Sequence, residues 1–268
     1  MKTLRGSGVS IAVNGEILGN TESSCPRRVI LRDNKIEKKF APGEEPLSFS
    51  IGWHFETIFK PDEKDYEREK EIRVQLTPEV EFIGHADFVS SKAVYELKSV
   101  TSENTYKKVF PFTNSRTKQT RPGTPKPENV IQLVTYMYML GINTGYLVYG
   151  SWAHIVEYKE LNKDSLSLIK NHPPEIVKFK VTIKPNGDVW IDDKKYIFST
   201  QHIRDYCILA AELLRSNTLY HTRPLPIEPG SFTSACSFCP LNDLCNSLES
   251  REISFEEFLN LSKELFNV

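Results

Sequence analysis

Three residues that could do chemistry lie close together in the stretch GHADFVSSKAVYELK: Asp87, Glu96 and Lys98. A run with strand propensity (Glu81 to Val89), a polar break at Ser90-Ser91-Lys92 and a second run (Ala93 to Val100) read as a β-hairpin. With the turn centred on Ser91-Lys92, Val89 faces Val94 and Asp87 faces Glu96. Directly opposed residues have Cβ atoms about 5 Å apart, where like charges repel. Lys98 projects from the same face as Glu96, because side chains alternate along a strand. Such a patch is uncomfortable alone and suits a divalent cation, since carboxylate oxygens take hard ions such as Mg²⁺ or Mn²⁺. The ion would polarise a phosphoryl oxygen and lower the pKa of bound water. Lys98 would position that water or stabilise developing negative charge. The plainer alternative is a surface hairpin whose charges alternate in solvent.

A second grouping is Cys236-Ser-Phe-Cys239-Pro-Leu-Asn-Asp-Leu-Cys245, three thiols within ten residues. Thiolates select zinc or iron–sulfur clusters, and this spacing does not separate the two. A fourth ligand must come from elsewhere. Cys207 falls on the apolar face of an expected helix and reads as core, which leaves Cys25, beside Pro26 at an expected helix start, as the better partner. Joining Cys25 to the triplet would clamp the segments 20–35 and 230–250 together. Five cysteines are an odd count, and the N-terminus lacks the sustained apolar core of a signal peptide. Both favour a reducing, cytoplasmic setting over a disulfide framework.

Two further groups lie nearby. Gln132 and Tyr136, four apart, share a helix face; they would contact a substrate backbone or simply pack. Between Glu103 and Pro127 stand six basic residues against one acidic, with Tyr106, Phe110 and Phe112 interleaved. That segment breaks all periodicity. It is either a solvated loop or a surface whose cations meet phosphates while the aromatics stack on bases.

The elements that must carry these groups follow from pattern. Ile51, Phe55, Ile58 and Phe59 recur at helical spacing, with His54 on the neighbouring stripe. Pro127 and Glu128 open a helix that Gly141 closes after Leu140. Strands are expected at Ile11–Val13 and Ile17–Leu18 around Asn14-Gly15, at Glu71–Thr77, Gly145–Gly150 and His154–Lys159, and in a meander over Ile176–Ile183, Val189–Ile191 and Tyr196–Phe198. Helices are expected from about Ser24, over Thr200–Ser216 and over Phe255–Phe266. The chain has 268 residues, 39% of them hydrophobic, and a net charge of -1. Overall charge therefore does not announce nucleic acid, and any such partner must be met locally. No apolar run approaches the roughly 20 residues of a membrane span.

The order His54, Gly84-x-x-Asp87, Glu96-Leu97-Lys98, Gln132-x-x-x-Tyr136 resembles the RecB-like branch of the PD-(D/E)XK nucleases. With Cys25 and Cys236-x2-Cys239-x5-Cys245 added, the chain looks most like the CRISPR-associated RecB-like exonucleases, which carry a four-cysteine iron–sulfur cluster; AddB-type recombination nucleases share that combination. The resemblance implies one α/β domain over 1–268, a restriction-endonuclease-like core (46–160) with a central mixed sheet flanked by helices. It implies His54, Asp87, Glu96 and the Leu97 carbonyl as ligands of Mg²⁺ or Mn²⁺, Lys98 as the catalytic lysine, and Gln132 and Tyr136 as organisers of the site. It also implies a [4Fe–4S] cluster on Cys25, Cys236, Cys239 and Cys245 joining the N- and C-terminal segments. The implied activity is an exonuclease on single-stranded DNA or free ends, with CRISPR integration proteins as partners. An AddB-like recombination enzyme or an inert iron–sulfur DNA-binding module would share the motifs. Two departures mark this chain: Phe55 stands between His54 and Glu56, where the family's histidine is usually followed directly by Glu, and the 102–127 link is longer.

Overall fold

The computed structural model describes residues 1–6, 9, 11–13, 16–18, 46–113, 116–158, 161–216, 242–249 and 252–266. In chain order the elements are β1 (Lys2–Arg5), β2 (Ile11–Val13), β3 (Glu16–Leu18), α1 (Leu47–Ile58), β4 (Glu67–Thr77), β5 (Val80–Val89) and β6 (Val94–Val100). There follow α2 (Glu103–Val109), β7 (Phe112–Thr113), β8 (Thr120–Arg121), α3 (Pro127–Leu140), β9 (Thr144–Ser151), α4 (Lys163–Asn171) and β10 (Glu175–Ile183). The chain ends with β11 (Asp188–Ile191), β12 (Lys194–Ser199), α5 (Thr200–Ser216), α6 (Asn242–Glu249) and α7 (Phe255–Phe266). The fold is α/β, a mixed central sheet flanked by helices. The chain divides into two compact units: Met1–Lys39, Glu71–His85 and Ile197–Val268 form one, and Phe40–Lys70 with Ala86–Tyr196 the other.

In the second unit the strands run β5, β6, β9, β10, β11. β5 and β6 are antiparallel, pairing Val89 with Val94 and Phe88 with Tyr95. The turn between them is held by the Ser90 hydroxyl, which accepts the Lys92 and Ala93 amides. β6 and β9 are parallel, from Val94↔Gly145 to Val100↔Ser151, and a parallel pair needs a crossover. α3 lies within that crossover. Its ends are set by residue chemistry: Pro127 in the first turn, where no amide partner is lost, and Gly141 at φ 67° to end it.

Two glycines show how the helices sandwich the sheet. A Cβ on Gly145 would lie 2.5 Å from Met137 Sδ on α3, and one on Gly150 would lie 2.6 Å from the Phe55 ring on α1. Residues an odd number apart on a strand face opposite ways, so α3 and α1 cover opposite faces of β9. Through the β6–β9 register, Glu96 and Lys98 lie with Leu147 and Tyr149, whereas Tyr95 and Leu97 lie with Tyr146 and Val148. The α1 face holds a core of Ile51, Phe55, Phe88, Tyr95, Leu97, Val148 and Trp152.

In the first unit β1 pairs with β5 in parallel, Lys2↔Val80 to Arg5↔Ile83, and β2 pairs with β3. α5 packs on β1 and β2, burying Ile203, Cys207, Ala210 and Leu214. Cys207 is thus core, and burial pushes its thiol up to about 12.

Several expectations are corrected. The strand expected at His154–Lys159 is not formed over its described residues, 154–158, which turn instead: the Ile155 and Val156 amides return to the Trp152 carbonyl, and the Tyr158 hydroxyl folds back onto Ser151 Oγ and the Trp152 amide. Segment 102–127 is not a featureless loop, because it contains α2 and the β7–β8 ribbon. The helix expected from Ser24 lies outside the described residues, as does the Asn14-Gly15 turn. Among the described residues no helix is long and apolar enough to cross a membrane.

Candidate functional site

All but the cysteines among the expected site residues fall in the second unit, and the hairpin assembles most of them. The β5–β6 pairing runs from the turn as far as Phe88↔Tyr95. Hydrogen-bonded pairs alternate along an antiparallel ladder, and the Ser90 amide donates to the Ala93 carbonyl. An unbroken ladder would therefore give the Leu97 amide to Ala86. It goes instead to Asp87 Oδ2, at 2.6 Å. The side chain of Asp87 thus takes over a main-chain position where the strands open, and its carboxylate is fixed beside β6. In an extended strand the N–H and C=O of one residue point the same way, so the Leu97 carbonyl faces the same opening.

Glu96 is 1% exposed. Its Oε1 lies 2.5 Å from Lys98 Nζ, while its Oε2 is buried without a hydrogen-bond partner among the described residues. A buried carboxylate oxygen left unpaired costs on the order of 1–3 kcal/mol or more. Burial, then the neighbouring Asp87, push the Glu96 carboxyl up to about 8, against the pull of Lys98. Burial likewise raises Asp87, opposed by Lys98 and the Leu97 amide. Lys98 is raised as well: burial disfavours its charge, but Glu96, Asp87 and Glu56 outweigh it.

The sequence pattern did not single out Glu56 as a site residue. It sits half-buried on α1, its carboxyl pushed up to about 7 by burial and by Asp87 and Glu69, with Lys98 and Arg68 pulling the other way. Glu69 has a left-handed backbone, φ 46°, inside β4. A non-glycine residue there is strained and marks a local kink. The signal available in sequence was the displaced Glu after His54.

His54 lies on α1 beside Trp152. Its ring lies 5.9 Å from Trp152; burial and then Lys170 lower its pKa, offset by a hydrogen bond to the Ile169 backbone. Its Nε2, like Glu96 Oε2, is buried without a hydrogen-bond partner among the described residues. His85, exposed, stands 3.5 Å from Glu71. Gln132 Nε2 donates to the Tyr136 hydroxyl at 3.1 Å, and Tyr136 is 2% exposed; their helix packs against β6 and β9. Of the cysteines, Cys245 lies on α6 with intermediate exposure. Cys25, Cys236 and Cys239 lie outside the described residues.

Among the described residues no three His, Cys, Asp or Glu side chains form a ready-made metal cage. Mg²⁺ does not demand one, since it keeps several waters and is held by one or two carboxylates together with substrate phosphates. The orphaned Glu96 oxygen, the fixed Asp87 carboxylate and the Leu97 carbonyl form a donor set that suits such an ion.

No family model matches this sequence, and no curated protein matches it. Among solved structures, "Crystal structure of SSO0001" is similar with a TM-score of 0.49 and 15% identity, over 91% of this chain and 86% of its own. So distant a likeness carries no functional information.

Proposed function

We propose that this chain is a divalent-metal-dependent deoxyribonuclease with a PD-(D/E)XK core, acting on single strands or free ends. One observation carries the reading: a buried Glu96 shares one oxygen with Lys98 and leaves the other unpartnered, beside an Asp87 carboxylate held by the Leu97 amide. Asp87 and Glu96 would hold Mg²⁺ or Mn²⁺, which when bound polarises a phosphoryl oxygen and acidifies water. The remaining work falls to the chain itself. The Leu97 amide fixes the orientation of Asp87. The Lys98 ammonium, tied to Glu96, sets positive charge against the negative charge that develops on phosphate during attack. Glu56, its carboxyl near neutrality, is suited to take up the proton that the attacking water loses. Gln132 and Tyr136 brace one another on the helix that covers β6. The same reading assigns Cys25, Cys236, Cys239 and Cys245 to a [4Fe–4S] cluster, supported by their spacing in the sequence. Partnership with CRISPR integration proteins rests on the resemblance alone.

The test is release of label from single-stranded DNA, with Mn²⁺ or with chelator. Glu96→Ala and Lys98→Ala should each lower the metal-dependent rate by at least about 10²-fold, with circular dichroism melts that still show a folded protein. Wild-type rates in either variant would end the assignment. Binding without any cutting by the wild type would favour the inert DNA-binding module.

A further inference from the structure

The link between β6 and α3 leaves the carboxyl end of β6 just beyond Lys98. Ligands of α/β sheets gather at such strand ends. Local contacts hold the link in place. Ser102 caps α2 by accepting the Thr105 amide, the Tyr106 hydroxyl donates to Glu175 at 2.9 Å, and the Thr124 amide returns to the Lys108 carbonyl. At its far end the Lys126 amide and Asn129 Nδ2 both donate to the Tyr149 hydroxyl, at 3.0 and 2.9 Å. Tyr149 is the register neighbour of Lys98, so the link is fastened directly beside the lysine.

Its three aromatics are not equivalent. Tyr106 and Phe110 stack on each other, centroids 4.9 Å apart, and Phe110 is 1% exposed. Both are occupied. Phe112, partly exposed on the β7–β8 ribbon, pairs in register with Arg121; the Arg121 guanidinium and Lys107 ammonium lie 5.7 and 6.0 Å from its ring centroid. Lys107 also pairs with Glu103 at 2.5 Å, whereas the exposed Lys108 and Lys118 have no acidic partner among the described residues. A two-stranded ribbon with one partly exposed ring not stacked on another aromatic, flanked by cations and nearly free of acids, matches a single nucleic-acid strand. Every base offers a π-face, and the backbone offers the anions.

We propose that α2 and the β7–β8 ribbon grip one nucleic-acid strand leading to Lys98, with Phe112 stacked on a base and Lys108, Lys118 and Arg121 at its phosphates. The assignment rests on the nuclease reading for the nature of the ligand.

Binding is measured by fluorescence anisotropy in chelator, so that no cutting intervenes, using the full chain and a labelled mixed-sequence single strand over a range of salt. Phe112→Ala should weaken binding about tenfold, within the span a lost base stack allows, and leave binding to an abasic strand of equal length unchanged. Phe112→Tyr should restore it, which separates stacking from a folding defect. Lys108→Glu combined with Lys118→Glu should weaken binding to both strands and flatten the slope of log affinity on log salt by about 1.4, two phosphates at roughly 0.7 each. Wild-type binding by Phe112→Ala, or an equal loss on the abasic strand, overturns the stacking role. An unchanged salt slope overturns the phosphate role. If the variants bind normally while Glu96→Ala still abolishes cutting, this proposal fails alone; if the wild type binds no nucleic acid, the nuclease reading fails with it.

Discussion

The carboxylate cluster should make the metal-free protein lose stability as pH rises, and one atom-for-atom substitution should remove most of that loss. Glu96 moves from an ordinary 4.5 to about 8 on folding, because it is buried and faces Asp87. Between those values the folded state holds a proton that the unfolded chain has released. Stability then falls with rising pH by about 1.4 kcal/mol per unit. The sign is fixed: the contribution is fully present below about pH 4.5 and gone above about pH 8. Over that interval the loss is on the order of 5 kcal/mol, a large share of the roughly 5–15 kcal/mol by which domains are stable. Glu96→Gln keeps the shape and cannot titrate. In denaturant titrations with chelator, wild type and variant should therefore be similar near pH 5 and diverge by several kcal/mol by pH 8.5, the variant being the more stable. The residual slope of the variant belongs to Asp87 and Glu56. Mn²⁺ at a hundredfold excess over its dissociation constant should then return about 2.7 kcal/mol to the wild type and little to the variant. Parallel curves, or equal rescue of both proteins by Mn²⁺, would refute the claim that an unpaired buried carboxylate at Glu96 is kept for a cation.

Glu56→Gln should lower the metal-dependent rate about 10²-fold with the Mn²⁺ concentration for half-maximal cutting unchanged, whereas His54→Ala should leave both unchanged and cost about 1–2 kcal/mol in denaturant titrations through lost packing on Trp152; a raised Mn²⁺ requirement in His54→Ala would make His54 a ligand. Prepared without oxygen, the protein should contain iron and acid-labile sulfide and absorb broadly in the visible, and Cys245→Ser should lose both; a colourless, zinc-loaded preparation would remove the cluster from the proposal.

Where neighbouring residues decide the geometry, the sequence was readable. The hairpin register follows from a polar break between two apolar runs and a serine able to cap the turn, so the Val89–Val94 pairing is legible before any coordinates. Pro127 and Gly141 bound α3 for the same local reasons. The reading failed where distant contacts override local pattern. Tyr158 could be a strand residue by composition, but its hydroxyl satisfies Ser151 and Trp152 and turns the chain back. The β7–β8 ribbon is too short to show period-two alternation, and it is held by Gly123 pressed on the Val109 carbonyl, where a Cβ would come within 1.8 Å. Opening of the ladder at Asp87 is likewise invisible in sequence, since it depends on one carboxylate displacing one carbonyl.

The different surroundings of His54 and Glu56 have a sharper cause. Successive helix residues are about 100° apart, so His54 and Glu56 point to opposite sides of the direction taken by Phe55. That direction is settled by packing: Ile51 and Phe55 are both fully buried, and the Phe55 ring fills the space a side chain at position 150 would need. With Phe55 aimed at the sheet, His54 turns toward Trp152 and Glu56 toward the charges of Asp87 and Lys98. To put His54 where Glu56 stands would require rotating α1 by about 160°, which would pull Phe55 off Gly150 and expose it. Lost burial of one aromatic of that kind costs about 3–5 kcal/mol. The core, not the chemistry at the opening, therefore decides which polar residue of α1 faces Asp87. A histidine followed immediately by Glu would leave that Glu at position 55, where this sheet requires a phenylalanine.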